Sequence, residues 1–264
     1  MIKELILTIS IVIYKSNEEL LIETLKTLVL SCEKAKLSSY RIYLINHEKT
    51  ISENINKFVS GNIELIQGHG NIGYGSGHNI IKNRLGNYHL ILNPDVKLFE
   101  DTIKNSIKRM TEENNVGLIT PNAIDQNGVR QYLIKSYPSF LIFFLRVTNI
   151  SLLNLLFKKK LNKYECRELN YNKIINKVIY CSGCYMFFRS IIFKKINGFD
   201  ENFFLYFEDM DICYRTSKVT HIIYDPNVKI IHYGGKTSRK NFLHWKLFIS
   251  SMIKFFNKYV WKFF

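Results

Sequence analysis

LILTISIVIYKSNEELLIETLKTL, residues 5–28, joins two patterns that together set the fold class. Leu5–Tyr14 is an unbroken apolar run of strand length, rich in Ile and Val, as a strand buried on both faces requires. Ser16-Asn17-Glu18-Glu19 then supplies a cap and early acids, and Leu20-Leu21, Leu25 and Leu28 recur at helical spacing. Strand-like runs return at Arg41–Ile45, Ile63–Gln67 and His89–Leu92, the last stopped by Asn93-Pro94-Asp95. A helical pattern over Phe99–Glu112 leads to another strand at Val116–Thr120. This alternation predicts an α/β fold with a mostly parallel central sheet flanked by helices on both faces. Ligands of such sheets sit at the carboxyl ends of the strands, which directs attention to the loops after Tyr14, Ile45, Gln67 and Leu92.

The second half changes character. Phe140–Phe157 (FLIFFLRVTNISLLNLLF) is strongly apolar but is interrupted by Arg146, Asn149 and Asn154. A central Arg costs about 2.5 kcal/mol or more in a bilayer, so the run is read as an interfacial or core helix and not as a membrane span. Lys158-Lys159-Lys160 follows at once. Val178–Phe188 is strand-like, Ser190–Ile196 helical, and Ile222–Tyr224 and Lys229–His232 read as two short closing strands. Asn241–Phe264 is an amphipathic helix candidate. Trp245, Phe248, Ile249, Met252, Phe256, Tyr259 and Phe263 lie on one face, while Lys246, Lys254, Lys258 and Lys262 drift around another. That pattern fits a helix lying in a membrane surface, and equally one packed on its own sheet.

Composition narrows the class. The 264 residues are 47% apolar and 14% aromatic, which excludes a collagen, a coiled-coil rod and a disordered chain. Five Cys without a regular framework imply a reducing compartment. Met1-Ile-Lys-Glu-Leu-Ile-Leu is a poor signal peptide, because an acid sits inside the first apolar run. The net charge of +15 is unevenly placed: residues 1–128 hold 14 basic and 14 acidic side chains, residues 129–264 hold 23 and 8. A one-sided basic surface calls for a polyanionic partner such as nucleic acid, anionic lipid or a phosphorylated substrate, unless it is only a solvated face.

Several clusters could carry chemistry. Asp95, at a strand's carboxyl end, suits Mg²⁺ or Mn²⁺, which take hard oxygen ligands and share themselves with substrate phosphates; after Pro94 it could also be only a turn. Asn71-Ile72-Gly73-Tyr74-Gly75-Ser76-Gly77-His78-Asn79 is a glycine-rich loop before a helix, matching neither a dinucleotide fingerprint nor a Walker loop. It could admit an anion at the helix start or simply turn tightly. Phe203-Phe204-Leu205-Tyr206-Phe207-Glu208-Asp209-Met210-Asp211 sets three carboxylates behind aromatics, where a raised pKa would poise a general base; acids in a helix's first turn are the alternative. His232 precedes Gly234-Gly235 at the end of an apolar strand, and it gains meaning as a ligand only if Asp95 is near in space. Cys181-Ser182-Gly183-Cys184 lacks the second pair that a structural zinc needs.

Taken in order, Ser10–Tyr14, NIGYGSGHN (71–79), LNPDV (92–96), GFDENFFLYFEDMDICYR (198–215) and HYGG (232–235) resemble the family-2 glycosyltransferases of the GT-A fold, in particular a bacterial rhamnosyltransferase-like branch. The resemblance spans about residues 8–238. It implies a catalytic domain over 1–238, with a nucleotide-binding half (1–128) and an acceptor-binding and catalytic half (129–238), followed by the basic helix at 239–264. It also implies donor contacts from Ile13, Tyr14, Asn46, Asn71, Gly73, Tyr74, Gly77, Asn79 and Asn93. Asn46 stands where such enzymes usually carry a base-reading Asp, Asn93 where they carry the first acid of Asp-x-Asp, and Lys15 where Asn often follows the Tyr. Asp95 and His232 are implied as ligands of Mg²⁺ or Mn²⁺, and Asp209 as general base with Glu208 as runner-up. The implied reaction is inverting transfer of a sugar, L-rhamnose from dTDP-L-rhamnose, to a lipid-linked (polyprenyl diphosphate) saccharide in O-antigen or capsule assembly. The implied location is cytoplasmic, peripheral on the anionic inner face of the cell membrane.

Three readings compete. A UDP-hexose-dependent enzyme would use the same scaffold, and a non-catalytic relative could bind a sugar nucleotide without turning it over. A nucleic-acid binder would use the positive charge but leaves the acids at 208–211 and Asp95 without a role, and no nucleic-acid motif is present, so none is expected as partner.

Overall fold

The computed structural model describes residues 5–148, 150–234 and 242–263. Gly235, residues 236–241 at the expected junction with the terminal helix, Asn149 and Phe264 lie outside them. Strand β1 (Leu7–Ile13) is buried at every position, as its unbroken apolar run demands. Helix α1 (Glu18–Lys34) begins where the Asn17 side chain accepts the Leu20 N–H at 3.0 Å, and it buries Leu21, Leu25 and Leu28 against the sheet. There follow β2 (Tyr40–Asn46), α2 (Glu53–Asn56), β3 (Ile63–Ile66), α3 (Tyr74–Asn79), β4 (Tyr88–Leu92), β5 (Val96–Leu98), α4 (Thr102–Glu112), β6 (Val116–Ile124), β7 (Arg130–Gln131) and β8 (Ile134–Lys135). The remainder comprises α5 (Phe140–Thr148), α6 (Ser151–Leu156), α7 (Lys158–Tyr164), β9 (Tyr180–Cys181), β10 (Tyr185–Arg189), α8 (Ser190–Lys195), α9 (Glu208–Ser217), β11 (His221–His232) and α10 (Phe242–Lys258).

The main sheet runs β3-β2-β1-β4-β10-β6-β11-β5, with β7 on β6. It is parallel from β3 to β4, as expected, and mixed beyond, because β10 lies antiparallel between β4 and β6. Apolar content reports burial and not strand direction, so β10 read the same in either sense. The single strand expected over Val178–Phe188 is two, β9 and β10, broken at Ser182-Gly183. The two closing strands are instead one, β11, with its register shifted between Asp225 and Lys229, where Pro226 cannot donate to the ladder. Phe140–Phe157 is likewise two helices, α5 and α6. Among the described residues no helix is long and apolar enough to cross a membrane.

Helix α10 packs inward. Phe248, Met252, Phe255, Phe256 and Tyr259 join the second core with Phe143, Tyr180 and Phe207. Two of its lysines are committed inside the protein: Lys254 Nζ donates to the Asn202 carbonyl at 2.8 Å, and Lys258 pairs with Asp200 and with fully buried Asp211. Asp211 also takes Arg215 at 2.6 Å and the Tyr259 hydroxyl, so the third acid of the 208–211 cluster is structural. The aromatic face read as a membrane surface is therefore mostly spent on the protein's own core. Beyond Lys258 the chain turns back, and the Phe140 N–H donates to the Lys262 carbonyl at 2.7 Å.

Under β1 and β4, Ser10 Oγ lies 2.6 Å from His78 Nδ1 and 3.3 Å from His89 Nε2, all three side chains buried. Burial pushes the His89 pKa down to about 3 and that of His78 well below the usual value. Both rings are neutral in the fold, so below pH about 6.5 the unfolded chain takes up protons that the folded chain refuses, and stability falls as pH drops toward 3. For His89 the loss reaches about 2 kcal/mol at pH about 5, and His78 adds to it in the same sense. Glu208 and Asp209, whose pKa values are raised, act in the opposite sense. The test is the urea midpoint followed from pH about 7 to about 5. His89→Gln should flatten the histidine part of the slope, and parallel curves for wild type and variant would contradict this origin.

Candidate active site

The antiparallel ladder of β5 on β11 pairs Val96 with His232, which brings Asp95 beside that imidazole although 137 positions separate them in the chain. His232 Nε2 lies 3.6 Å from Asp95 Oδ1. The tautomer follows from Gln131. Its amide nitrogen donates to the His232 carbonyl at 2.7 Å, so its oxygen, 2.8 Å from Nδ1, accepts the Nδ1 proton. Nε2 then turns a lone pair toward Asp95, and burial keeps the ring's pKa below its usual value, opposed by the Asp95 charge. Asp95 Oδ1 is buried with no hydrogen-bond donor. Two facing lone pairs, one on a buried carboxylate, fit a divalent cation. Among the described residues no third His, Cys, Asp or Glu joins them, so phosphate oxygens or water would complete an octahedral shell.

The acids at the start of α9 are held by an unusual backbone. Tyr206 and Phe207 both adopt positive φ, 69° and 67°, at about 1–3 kcal/mol each. That bend buries Glu208 and leaves Asp209 half-exposed. Asp209 accepts the Met210 N–H at 2.8 Å and the Gly183 N–H at 3.3 Å. Glu208 Oε2 has no partner. Burial raises both pKa values, and for Glu208 the neighbouring Asp209 charge raises it well above the carboxylate range. Backbone N–H groups of Gly183, Met210 and Asp209 itself, with the Arg146 charge, oppose the rise at Asp209, whereas Glu208 has only its own N–H, so Glu208 is the neutral member and Asp209 the one that ionises.

Tyr74 joins the two clusters. Its hydroxyl contacts Asn93 Oδ1 at 3.0 Å and the Gly183 carbonyl at 2.8 Å, while the Gly183 N–H reaches Asp209. Burial raises the Tyr74 pKa, and the nearby charges of Asp209 and Asp95 add to it. Asp209 and Asp95 thus both act on Tyr74 and Cys184, and His232 lies beside Asp95, so the two clusters share one region at the carboxyl end of β4.

The glycine-rich loop has a different use from the one its spacing offered. The Tyr74 N–H donates to the Phe204 carbonyl at 3.0 Å and the Gly73 N–H to Asn71 Oδ1 at 3.1 Å, so the first donors of α3 are spent within the protein. A Cβ at Gly73 (φ 94°) would meet Phe204 O at 2.4 Å, and one at Gly77 would meet Val12 at 2.7 Å. Asn79 is buried and exchanges hydrogen bonds with the backbone of Phe199 at 2.9 Å in both directions. Gly77 thus packs closely on Val12 and His47, and Asn79 ties α3 to the loop that leads to Asp209. The Asn46 amide donates to the Glu48 and Thr50 carbonyls, both at 3.1 Å, and its oxygen accepts from the Glu48 N–H, so it shapes the β2 exit. Ile13 is buried at the end of β1, Tyr14 beyond it is 47% exposed, and Asn71 is exposed beside His47. Cys181 faces Cys213 at 3.5 Å and not Cys184, so the Cys-x-x-Cys spacing forms no pair.

A cavity of about 340 Å³ opens on Asp209, lined by aromatic side chains of α5, α7 and α10 together with Lys135, Arg146 and His244. Arg146 stacks on Tyr164 at 5.4 Å, and its charge lowers the Asp209 pKa against the effect of burial. Sequence reading missed Gln131, Gly183 and Arg146 as site residues. Only Arg146 carried a signal, as a lone cation in an apolar run.

No protein-family model matches the chain. It is 27% identical to rhamnosyltransferase WbbL of Escherichia coli (strain K12) over 184 residues, covering 64% of each chain. It is 25% identical over 217 residues to the low-salt glycan biosynthesis hexosyltransferase Agl10 of Haloferax volcanii, covering 80% of this chain and 62% of that one. The match thus spans under two thirds of both curated relatives. Among solved structures, GalNAc-T7 with UDP, GalNAc and Mn²⁺ is similar at a TM-score of 0.60 and 11% identity, over 88% of this chain and 44% of that one. Mannosyltransferase PcManGT from Pyrobaculum calidifontis, in complex with GDP-Man and Mn²⁺, is similar at 0.60 and 12%, over 96% and 63%. The fold is that of the GT-A glycosyltransferases. With the curated relatives it supports a family-2 member of that fold, on the side of the rhamnosyltransferase-like proteins.

Proposed function

We propose that the chain is an inverting glycosyltransferase that moves a sugar from a nucleoside-diphosphate donor to a saccharide hydroxyl. The pairing of Asp95 with His232, together with the nearness of both Asp95 and Asp209 to Tyr74, supports this reading. Asp95 and His232 Nε2 would hold Mg²⁺ or Mn²⁺, which supplies positive charge to a departing diphosphate. Asp209 accepts the proton of the acceptor hydroxyl while that oxygen attacks the anomeric carbon, and the donor's C–O bond to the diphosphate breaks on the opposite face. Glu208, held neutral, leaves Asp209 as the ionised acid among the described residues that line the cavity.

Similarity to a rhamnosyltransferase favours dTDP-L-rhamnose as donor, and similarity to a hexosyltransferase makes a UDP-hexose the second reading. Arg146 and Lys135, set among aromatic side chains beside Asp209, suit an acceptor that carries phosphate, as a polyprenyl-diphosphate-linked saccharide does. Such an acceptor belongs to surface polysaccharide assembly such as O-antigen or capsule, with the enzyme peripheral on the anionic cytoplasmic leaflet. A thermal-shift panel of dTDP- and UDP-sugars with Mn²⁺ tests donor use, because a ligand of the folded state raises its melting point. A metal-dependent rise of several degrees for one donor class is expected. No rise with any nucleotide sugar would overturn the proposal.

A further inference from the structure

Helix α6 fully buries none of its residues, and four of the six are exposed. Leu152, Leu155 and Leu156 are 66%, 68% and 69% exposed and lie at i, i+3 and i+4, on one face. Ile150, before the helix, and Phe144, on α5, are exposed as well. Water-facing leucine in such a cluster marks a partner surface. The charge around it indicates which partner: residues 126–164 carry seven Lys and Arg and no carboxylate, and Lys158, Lys159 and Lys163 at the start and end of α7 are exposed.

We infer that α6 and the lysines of α7 form an interfacial wedge that inserts into an anionic lipid surface. The leucines enter the headgroup–acyl boundary while the ammonium groups meet lipid phosphates, an arrangement that lets a short helix bind without spanning. The wedge replaces α10 as the membrane-facing element, since α10 spends Phe248, Met252, Phe255 and Phe256 in the core and Lys254 and Lys258 on Asn202, Asp200 and Asp211. Its placement also serves the site. Both α5 and α6 pack on α7, and Phe143, Arg146 and Tyr164 of α5 and α7 line the Asp209 cavity. A wedge seated in the bilayer thus holds that cavity within about a helix diameter of the headgroups. This inference deepens the lipid-linked acceptor reading, yet its test does not pass through catalysis.

The test is flotation of the full chain with phosphatidylcholine vesicles with and without phosphatidylglycerol. The wild type should float with the anionic vesicles and release at high salt. Leu152→Glu/Leu155→Glu/Leu156→Glu should weaken binding roughly a hundredfold or more. Lys158→Gln/Lys159→Gln/Lys163→Gln should weaken it by about fivefold per lysine, and only on anionic vesicles. Ile249→Glu/Ile253→Glu, on the exposed side of α10, should leave it unchanged. Circular dichroism confirms that the variants fold. Loss of flotation in the α10 variant with the leucine variant still bound would overturn the inference. So would leucine substitutions that dissolve a dimer in sedimentation without affecting vesicles, because the face would then belong to a second copy. Flotation that persists while transfer to a detergent-solubilised acceptor is absent would remove the reaction and leave the wedge standing.

Discussion

Asp209→Asn is expected to retain nucleotide binding and to lower sugar transfer by roughly 10²–10⁴-fold, the range for loss of a positioned general base. The substitution keeps the shape of the side chain and its contact with the Gly183 N–H, but an amide cannot take the acceptor's proton. Glu208→Gln should cost far less. Glu208 is buried and held neutral by burial and by the Asp209 charge, so the amide replaces a group already protonated. The pair is discriminating, because a deficit shared equally by both variants would point to damage at the start of α9. In the wild type the acid limb of the transfer rate should lie above the ordinary carboxylate range, since burial raises the Asp209 pKa and the base works only when ionised. Arg146→Met should move that limb further up, because the guanidinium favours the charged form. A limb unmoved in Arg146→Met would place the titration on another group.

Asp95→Ala should abolish metal-dependent nucleotide affinity, and His232→Ala should reduce it by at least roughly a hundredfold, since each removes one of the two protein ligands proposed for the cation among the described residues. Gln131→Ala should have a milder effect, about 10–100-fold, by releasing the Nδ1 contact that turns Nε2 toward Asp95. Calorimetry of a nucleoside diphosphate with and without Mn²⁺ reads all three. Nucleotide binding that is independent of Mn²⁺ in the wild type, or unchanged in Asp95→Ala, would remove the cation from this crevice. Without metal Asp95→Ala should remain folded, because Asp95 Oδ1 gives up no hydrogen bond when removed.

The sequence made the first half legible because its strands and helices differ in period. Leu5–Tyr14 could only be a buried strand, and the leucines that follow could only face it from a helix. The acids and Asp95 were visible as types at strand ends, but their convergence was not, since it depends on β11 running antiparallel to β5 over a register no local pattern encodes. The same limit hid the protein contacts of Asn79, Gly77 and Asn46. A glycine-rich loop reads alike whether its close approach is to a ligand or to protein, and here Phe204 and Val12 lie against Gly73 and Gly77. An amide at a strand's end, such as Asn46, can likewise satisfy its own loop. For α10, amphipathicity located the apolar face without saying what covers it, and Asp200 and Asp211, far away in the chain, decided the matter. Gln131 and Gly183 had no local signature, because each acts through a partner that only the fold supplies.

Proton NMR of a running reaction, with a nucleotide sugar, Mn²⁺ and a lipid-diphosphate-linked saccharide, puts sugar transfer itself to the test. The geometry at Asp95, His232 and Asp209 predicts acceptor-dependent release of a nucleoside diphosphate, with the anomeric configuration of the new linkage inverted relative to the donor. A product of retained configuration, or no product from any dTDP- or UDP-sugar while the protein binds them, would contradict it.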